Sequence, residues 1–235
     1  EEIAVTNSRV DGLEARFNNL EAGSFSETTT ASFSADMAIG AVDGDATGEA
    51  VGAVYGFQID LNTSFTGEDS LDISLDAGGA QASLDLLDLN GGDDSVTVDG
   101  VSYTFPLGDK TTVFVGDSMD GSTLYNTACV YGGQTKQIDD CGNSGAAMAA
   151  GFGTAAGASY DFGNGFTAAI GYEGEGAAAG KGLMTKEGLD VFGGQVTYTG
   201  DSYGVSVTYS DFEGTNDSAY TAFNAYYSFD NGASI

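Results

Sequence analysis

The sequence contains no histidine and no tryptophan, a single proline, and 6 lysines and arginines against 35 aspartates and glutamates. Without histidine there is no Ser-His-Asp or Cys-His catalytic apparatus and no histidine-containing zinc site. The formal charge of −29 removes the basic face that phosphate binding requires, which argues against nucleic acid as a partner. It argues equally against electrostatic attachment to an anionic membrane surface. No apolar run reaches the ~18 residues of a membrane-spanning helix. No signal peptide is present and the chain starts at Glu1 rather than Met, so a mature or trimmed product is expected. Carboxylate pairs of the glycosidase type remain formally open. With 35 acidic residues, however, some pair arises by chance, and the expectation is a protein that is not an enzyme and needs no cofactor.

What is present divides the chain in two. Over residues 1–22, Ile3, Val10 and Phe17 fall at heptad position a, and Thr6, Leu13 and Leu20 at d. This pattern predicts a short α-helical coiled coil that self-associates through Ile3, Val10, Leu13, Phe17 and Leu20. Arg9 and Arg16 flank the seam at g positions, favouring a parallel oligomer, although β-branched a residues do not fix the number of helices. A single amphipathic helix packed on the rest of the chain is the alternative.

From Phe25 onward the period is two. Ala31, Phe33, Ala35, Met37 and Ile39 alternate with Ser32, Ser34, Asp36 and small residues; Tyr55, Phe57, Ile59 and Leu61 alternate with Gly56, Gln58, Asp60 and Asn62. Leu71, Ile73 and Leu75 stand against Asp72, Ser74 and Asp76. Tyr203, Val205, Val207 and Tyr209 stand against small polar residues, and Phe223, Ala225 and Tyr227 against Asn224 and Tyr226. Strands of about 10 residues with one apolar and one small, polar face, together with 37 glycines, predict a mainly β protein: an antiparallel transmembrane β-barrel with a wet interior over 23–235. A soluble sandwich would show the same alternation in shorter strands. The connections alternate long and short if Ala82–Leu89 is an excursion rather than a strand. Ten strands fit, with an eleventh beginning near Ala233, so the barrel is expected to be incomplete in this chain.

In a barrel the polar parity faces water, which makes Asp36, Gln58, Asp60, Asn62, Asp72, Asp76 and Asn224 the candidate channel-lining residues. Tyr and Phe residues near strand ends (Tyr160, Phe162, Phe166, Tyr172, Tyr198, Tyr203, Tyr209, Tyr227, Phe229) suit interfacial girdles. Cys129 and Cys141 flank a polar stretch and suit a disulfide closing a surface loop in an oxidising compartment; two free thiols are the alternative. The loop Asp117–Ser144 is the candidate for folding inward, with Lys136 inside the Cys129–Cys141 ring and facing the acids, or else for covering the rim. The acidic groups Asp43, Asp45, Glu49 and Asp93, Asp94, Asp99 do not match a 12-residue Ca²⁺ loop, and no metal is expected.

Several segments carry a family resemblance. VDGLEARFNNLEAGSFSETTTASFSADMAIGA resembles the junction between coiled coil and first strand in cyanobacterial outer-membrane porins of the Som/OprB-like type, and SFTGEDSLDISLDAG resembles their second turn. VSYTFPLGDKTTVFVGDS resembles their hairpin with a Phe-Pro-Leu-Gly-Asp turn, and GAAMAAGFGTAAGASYDFGNGFTAAIGY the hairpin after the long loop. The resemblance implies a homotrimeric channel in outer-membrane lipid that passes small solutes and inorganic ions, or carbohydrate. It also implies an upstream S-layer-homology domain, absent from this chain, that binds a peptidoglycan-linked polymer, and closing strands that are absent too. The expected function is therefore an outer-membrane porin for passive diffusion with a cation bias. A tether between outer membrane and cell wall, and a soluble acidic Ca²⁺-binding surface or adhesin protein, are the alternatives.

Overall fold

The computed structural model describes residues 28–41, 51–79, 94–129, 153–176, 182–185, 188–214, 217–230 and 232. The coiled-coil candidates Ile3, Val10, Leu13, Phe17 and Leu20, the excursion Ala82–Leu89, Lys136 and Cys141 lie outside the described residues.

Ten strands form one antiparallel sheet in sequential order: β1 (Thr29–Gly40), β2 (Gly52–Thr63), β3 (Ser70–Gly78), β4 (Thr97–Pro106), β5 (Thr111–Asp117), β6 (Thr154–Gly163), β7 (Phe166–Gly174), β8 (Asp190–Thr199), β9 (Tyr203–Glu213) and β10 (Ser218–Tyr227). Every strand pairs only with its neighbours in sequence. The described part is all β, and among the described residues there is no helix long and apolar enough to cross a membrane.

Two unlike edges result. One carries the tight turns 64–69, 107–110, 164–165 and 200–202; the other carries the connections 41–51, 79–96, 118–153, 175–189 and 214–217. Local chemistry explains the tight edge. Asn164 and Gly165 both have positive φ, 54° and 84°, as a two-residue hairpin turn matched to right-handed strand twist requires. An added Cβ at Gly165 would also collide with the carbonyl of Thr199, whose N–H donates to the Gly165 carbonyl at 2.8 Å. In the turn 64–69, Asp69 is the organiser. Its Oδ1 accepts from Ser64 Oγ (2.8 Å), Phe65 N–H (3.0 Å), Thr66 N–H (2.7 Å) and Thr66 Oγ1 (2.7 Å), and its Oδ2 accepts from the Tyr103 hydroxyl at 2.6 Å.

The register keeps the apolar residues together on one face across all ten strands. Phe33 lies opposite Ile59, and Ile59 opposite Leu75. At β4 the spacing of Val98 and Val101 would place them on opposite faces. A register shift between Ser74 and Leu75 makes Asp99 the extra residue, so Val98 pairs with Leu75 and Val101 with Ile73 on the same side. The face continues through Tyr103 and Val115, Ala158 and Ile170, Val196 and Val207, to Phe223 on β10. It is exposed: Phe33 is 74%, Ile170 67%, Val196 55% and Phe223 70% accessible.

Aromatic rings border this face. Along the tight-turn edge run Phe65, Tyr103 and Phe105 in contact, then Tyr160 with Phe162, Phe166 with Tyr198 and Tyr203, and Tyr227 with Phe229, at centroid distances between 4.8 and 6.3 Å. Tyr55, Tyr172, Phe192 and Tyr209 lie toward the other edge. Tyr172 differs from the exposed ring expected of it. It is buried, and its hydroxyl donates to Asp190 and accepts the Met184 N–H.

The Tyr103 hydroxyl, followed by the Thr66 and Ser64 donors, holds the Asp69 carboxyl well below the usual aspartate range against the opposing effect of burial. A carboxylate depressed in the folded state contributes stability that is complete above its unfolded value, about pH 4, and is lost as pH falls through the folded value. Asp69→Asn is therefore expected to lower the urea-unfolding midpoint at pH 7, with a gap from wild type that narrows below about pH 4.

Candidate functional site

The register also defines the opposite face. Asp36 shares it with Gln58, Asp60 and Asn62, which lie across from Asp76, Ser74 and Asp72. The face passes through Ser102, Phe114 and Gly157 to Glu173, then through Gln195 and Thr208 to Ser206 and Asn224. All seven residues singled out from alternation, Asp36, Gln58, Asp60, Asn62, Asp72, Asp76 and Asn224, thus stand on one polar face of one sheet.

At the β1–β4 end these side chains form hydrogen-bonded groups. Asp60 Oδ1 accepts from Gln58 Nε2 and from Ser74 Oγ, each at 2.7 Å, and Asp60 Oδ2 accepts from Ser32 Oγ at 3.4 Å. Asp72 Oδ1 accepts from Asn62 Nδ2 and Asp72 Oδ2 from Ser70 Oγ, both at 2.6 Å. Thr97 Oγ1 donates to Asp76 Oδ1 at 2.8 Å. The donors are neutral. Among the described residues the one basic side chain is Lys110, in the β4–β5 turn, with its Nζ donating to the Phe162 carbonyl at 3.5 Å. The polar face therefore carries negative charge without basic side chains among its described residues.

At the β5–β9 end the same face is buried, and what covers it is the chain itself. Residues 118–129, leaving β5, cross over β6, β7 and β8 to β9, a span of roughly 19 Å at ordinary strand spacing. Met119 packs where a Cβ on Gly100 or Gly116 would meet it at 2.8 Å, and Gly121 N–H donates to Glu173 Oε2 at 3.3 Å. Gln195 Nε2 donates to Thr127 Oγ1 at 2.8 Å and to Thr208 Oγ1 at 2.9 Å, and Ala128 N–H donates to Ser206 Oγ at 3.1 Å. Gln195, Thr197, Ser206 and Thr208 are in consequence at most 3% accessible. Between the connection and the β3–β4 wall remains a cavity of about 480 Å³ lined by Ser74, Asp99, Gly100, Ser118, Met119 and Asp120 among others. Burial, and then the charge of Glu173, pushes the Asp120 carboxyl up.

Of the loop Asp117–Ser144, weighed as folding inward or as covering the rim, the first part, to residue 129, lies on the polar face. Cys129 is not a free thiol. Among the described residues no group of three or more His, Cys, Asp or Glu side chains is placed to hold a metal ion. Of the acidic groups weighed from the sequence, Asp94 instead accepts the Tyr55 hydroxyl at 2.7 Å and Asp99 is the bulge residue of β4. Glu173, Gln195, Ser206 and Phe114 were not singled out from alternation. Their parity was readable, but the segment that covers them approaches from far along the chain.

No family model matches the chain. The chain is similar to an uncharacterized protein of Nostoc sp. (strain PCC 7120 / SAG 25.82 / UTEX 2576), 35% identical over 127 residues that take in 46% of this chain and 22% of that protein.

Gln195 joins the connection to the wall through one buried amide. Replacing it with Ala leaves the Thr127 and Thr208 hydroxyls without that donor, at a cost of about 1–3 kcal/mol. The expected outcome is a lower urea midpoint together with faster protease cleavage within 118–129. An unchanged cleavage rate would show that the Gln195 bond does not hold the connection.

Proposed function

We propose that this chain forms part of the wall of a transmembrane β-barrel porin in an outer membrane. Its water-filled passage admits small hydrophilic solutes and inorganic ions by diffusion, with a bias toward cations. The observation that carries the reading is the inversion of the sheet: large apolar side chains such as Phe33, Ile170 and Phe223 are exposed, whereas Glu173, Gln195, Ser206 and Thr208 on the other face are enclosed beneath the 118–129 connection. In water that arrangement exposes an apolar surface far beyond what soluble monomers tolerate. In a bilayer the apolar face meets lipid, the aromatic rows meet the two interfaces, and the paired backbone of the sheet leaves few unsatisfied groups.

The edges fit the same reading. On one side the turns are short and on the other every connection but the brief 214–217 is longer, which is close to the pattern of outer-membrane barrels, with the long connections outside the cell. The connection 118–129 then lies inside the lumen and narrows it, with Cys129 and Cys141 paired to restrict the rest of the loop. A passage needs no catalytic residue. Its selectivity comes from width and field, and Asp36, Asp60, Asp72 and Asp76 supply a field of one sign. The resemblance to Som/OprB-like porins, the homotrimer through residues 1–22, and attachment to a peptidoglycan-linked polymer by an upstream domain belong to this same proposal.

The test is planar-bilayer conductance of the natural full-length protein under a KCl gradient. Stepwise currents with a reversal potential favouring K⁺ are expected. The triple variant Asp60→Asn, Asp72→Asn, Asp76→Asn should shift that potential toward zero while the steps persist. Folded, detergent-extracted protein without steps would remove the channel reading, and protein that stays monodisperse without detergent would remove the barrel.

A further inference from the structure

The outward face of β1–β3 differs from the rest of the apolar face in how its borders are made. From β4 to β10 the outward residues at the tight-turn ends are mostly aromatic, among them Tyr103, Phe105, Tyr160, Tyr198, Tyr203 and Tyr227. On β1–β3 they are Thr29, Ala31, Leu61, Thr63 and Leu71. The aromatic row stops at the ladder that pairs Tyr103 with Leu71. Phe65, in the β2–β3 turn, closes it, with its ring 6.3 Å from that of Tyr103.

Polar groups at both borders of β1–β3 are engaged within the wall. Thr29 Oγ1 and Thr63 Oγ1 share a hydrogen bond at 2.7 Å. Toward the long connections the Tyr55 hydroxyl donates to Asp94 at 2.7 Å, and the Tyr55 ring lies where a Cβ on Gly79 would meet it at 3.3 Å. Between these borders Phe33, Met37 and Ile39 are exposed, and Ala53 pairs with Ile39. Aromatic rings gather at the borders of a wall where lipid headgroups meet it, because a ring that is apolar on one side and wet on the other suits that depth. A stretch of wall that meets protein has no headgroups beside it and no use for such a border.

The occupant follows from where the chain enters. Residues 1–22, whose sequence carries the heptad pattern of a self-associating segment, lead into β1 at its tight-turn end. Residues 23–28 span at most about 22 Å, so copies joined through 1–22 would hold their β1 strands close together. Three strands at ordinary spacing, the longest of 12 residues, present roughly 500 Å² on one face. Two such faces together reach the ~1,000 Å² at which specific interfaces begin.

We infer that the outward face of β1–β3 is a contact surface for a second copy of this chain, whereas the outward face of β6–β10 meets lipid. The inference rests on the membrane reading above, since an aromatic border has meaning only at a bilayer. The test uses the full-length protein reconstituted in phosphatidylcholine vesicles at a high ratio of lipid to protein. A benzophenone attached through Ala35→Cys on β1, or through Val196→Cys on β8, inserts on illumination into whatever C–H bond lies beside it. Both positions are exposed on the outward face. Cys129 is not a free thiol, and unaltered protein carried through the labelling gives the background. The probe at residue 35 is expected to join chains covalently in pairs, in clear excess over the probe at residue 196, which should give lipid adducts. Adding Ala31→Trp supplies a ring that lipid accommodates and a packed contact does not, and should lower the joined fraction about tenfold. Inserted protein with equal yields at the two positions, or with no joined chains at residue 35, would overturn the contact and leave the barrel standing. Protein that stays outside the vesicles would remove the barrel and this inference with it.

Discussion

The whole arrangement depends on which solvent the two faces of the sheet meet. A soluble sheet hides its apolar parity and wets its polar one; here the apolar parity is exposed, and the polar parity is covered by the 118–129 connection over β6–β9. Burial of polar groups is costly unless each finds a partner. The polar face answers that requirement with small donors set beside larger acceptors. Gln58 and Ser74 both serve Asp60, Asn62 and Ser70 serve Asp72, and Gln195 bridges Thr127 and Thr208. Glycines on that face, such as Gly116 and Gly157, make room for Met119 and Phe114. The outward face needs no such pairing, and it carries valine, isoleucine and aromatic rings instead.

The charge follows from the same constraint. Asp36, Asp60, Asp72 and Asp76 stand together on the polar parity, apart from the apolar bands. With 35 acids against 6 bases in the chain, there is little to neutralise them there. The hydrogen bonds on Asp60, Asp72 and Asp76 come from hydroxyls and amides, which orient the carboxylates without cancelling their charge. A field of one sign is therefore built into the polar face.

Much of this was legible from alternation and turn chemistry. The parity of β1, β2, β3 and β10 put Asp36, Gln58, Asp60, Asn62, Asp72, Asp76 and Asn224 on one face, as the register also does, because a two-residue period admits one assignment once the strand is recognised. The turns at Asp69, at Asn164-Gly165 and at 200–202 were readable because their residues have specific backbone needs. The anchors of the connection were not. Gly121 meets Glu173 across 52 positions, Thr127 meets Gln195 across 68 and Ala128 meets Ser206 across 78, and no local pattern encodes such contacts. The bulge at Asp99 was hidden for a different reason. Its trace is a break in alternation between Val98 and Val101, which reads equally well as the end of a strand.

The sequential order of the ten strands has a further consequence, for assembly. Each ladder joins segments adjacent in the chain, so the entropy of bringing partners together is set by one connection at a time. Seven of the nine ladders close over connections shorter than the 79–96 link, and the widest gap to close is 118–153. Hairpins can therefore form one after another, each using the edge of the previous one as template. The slow event within the sheet is then the meeting of β5 and β6, which divides it into two blocks of five strands that can each acquire register before they join.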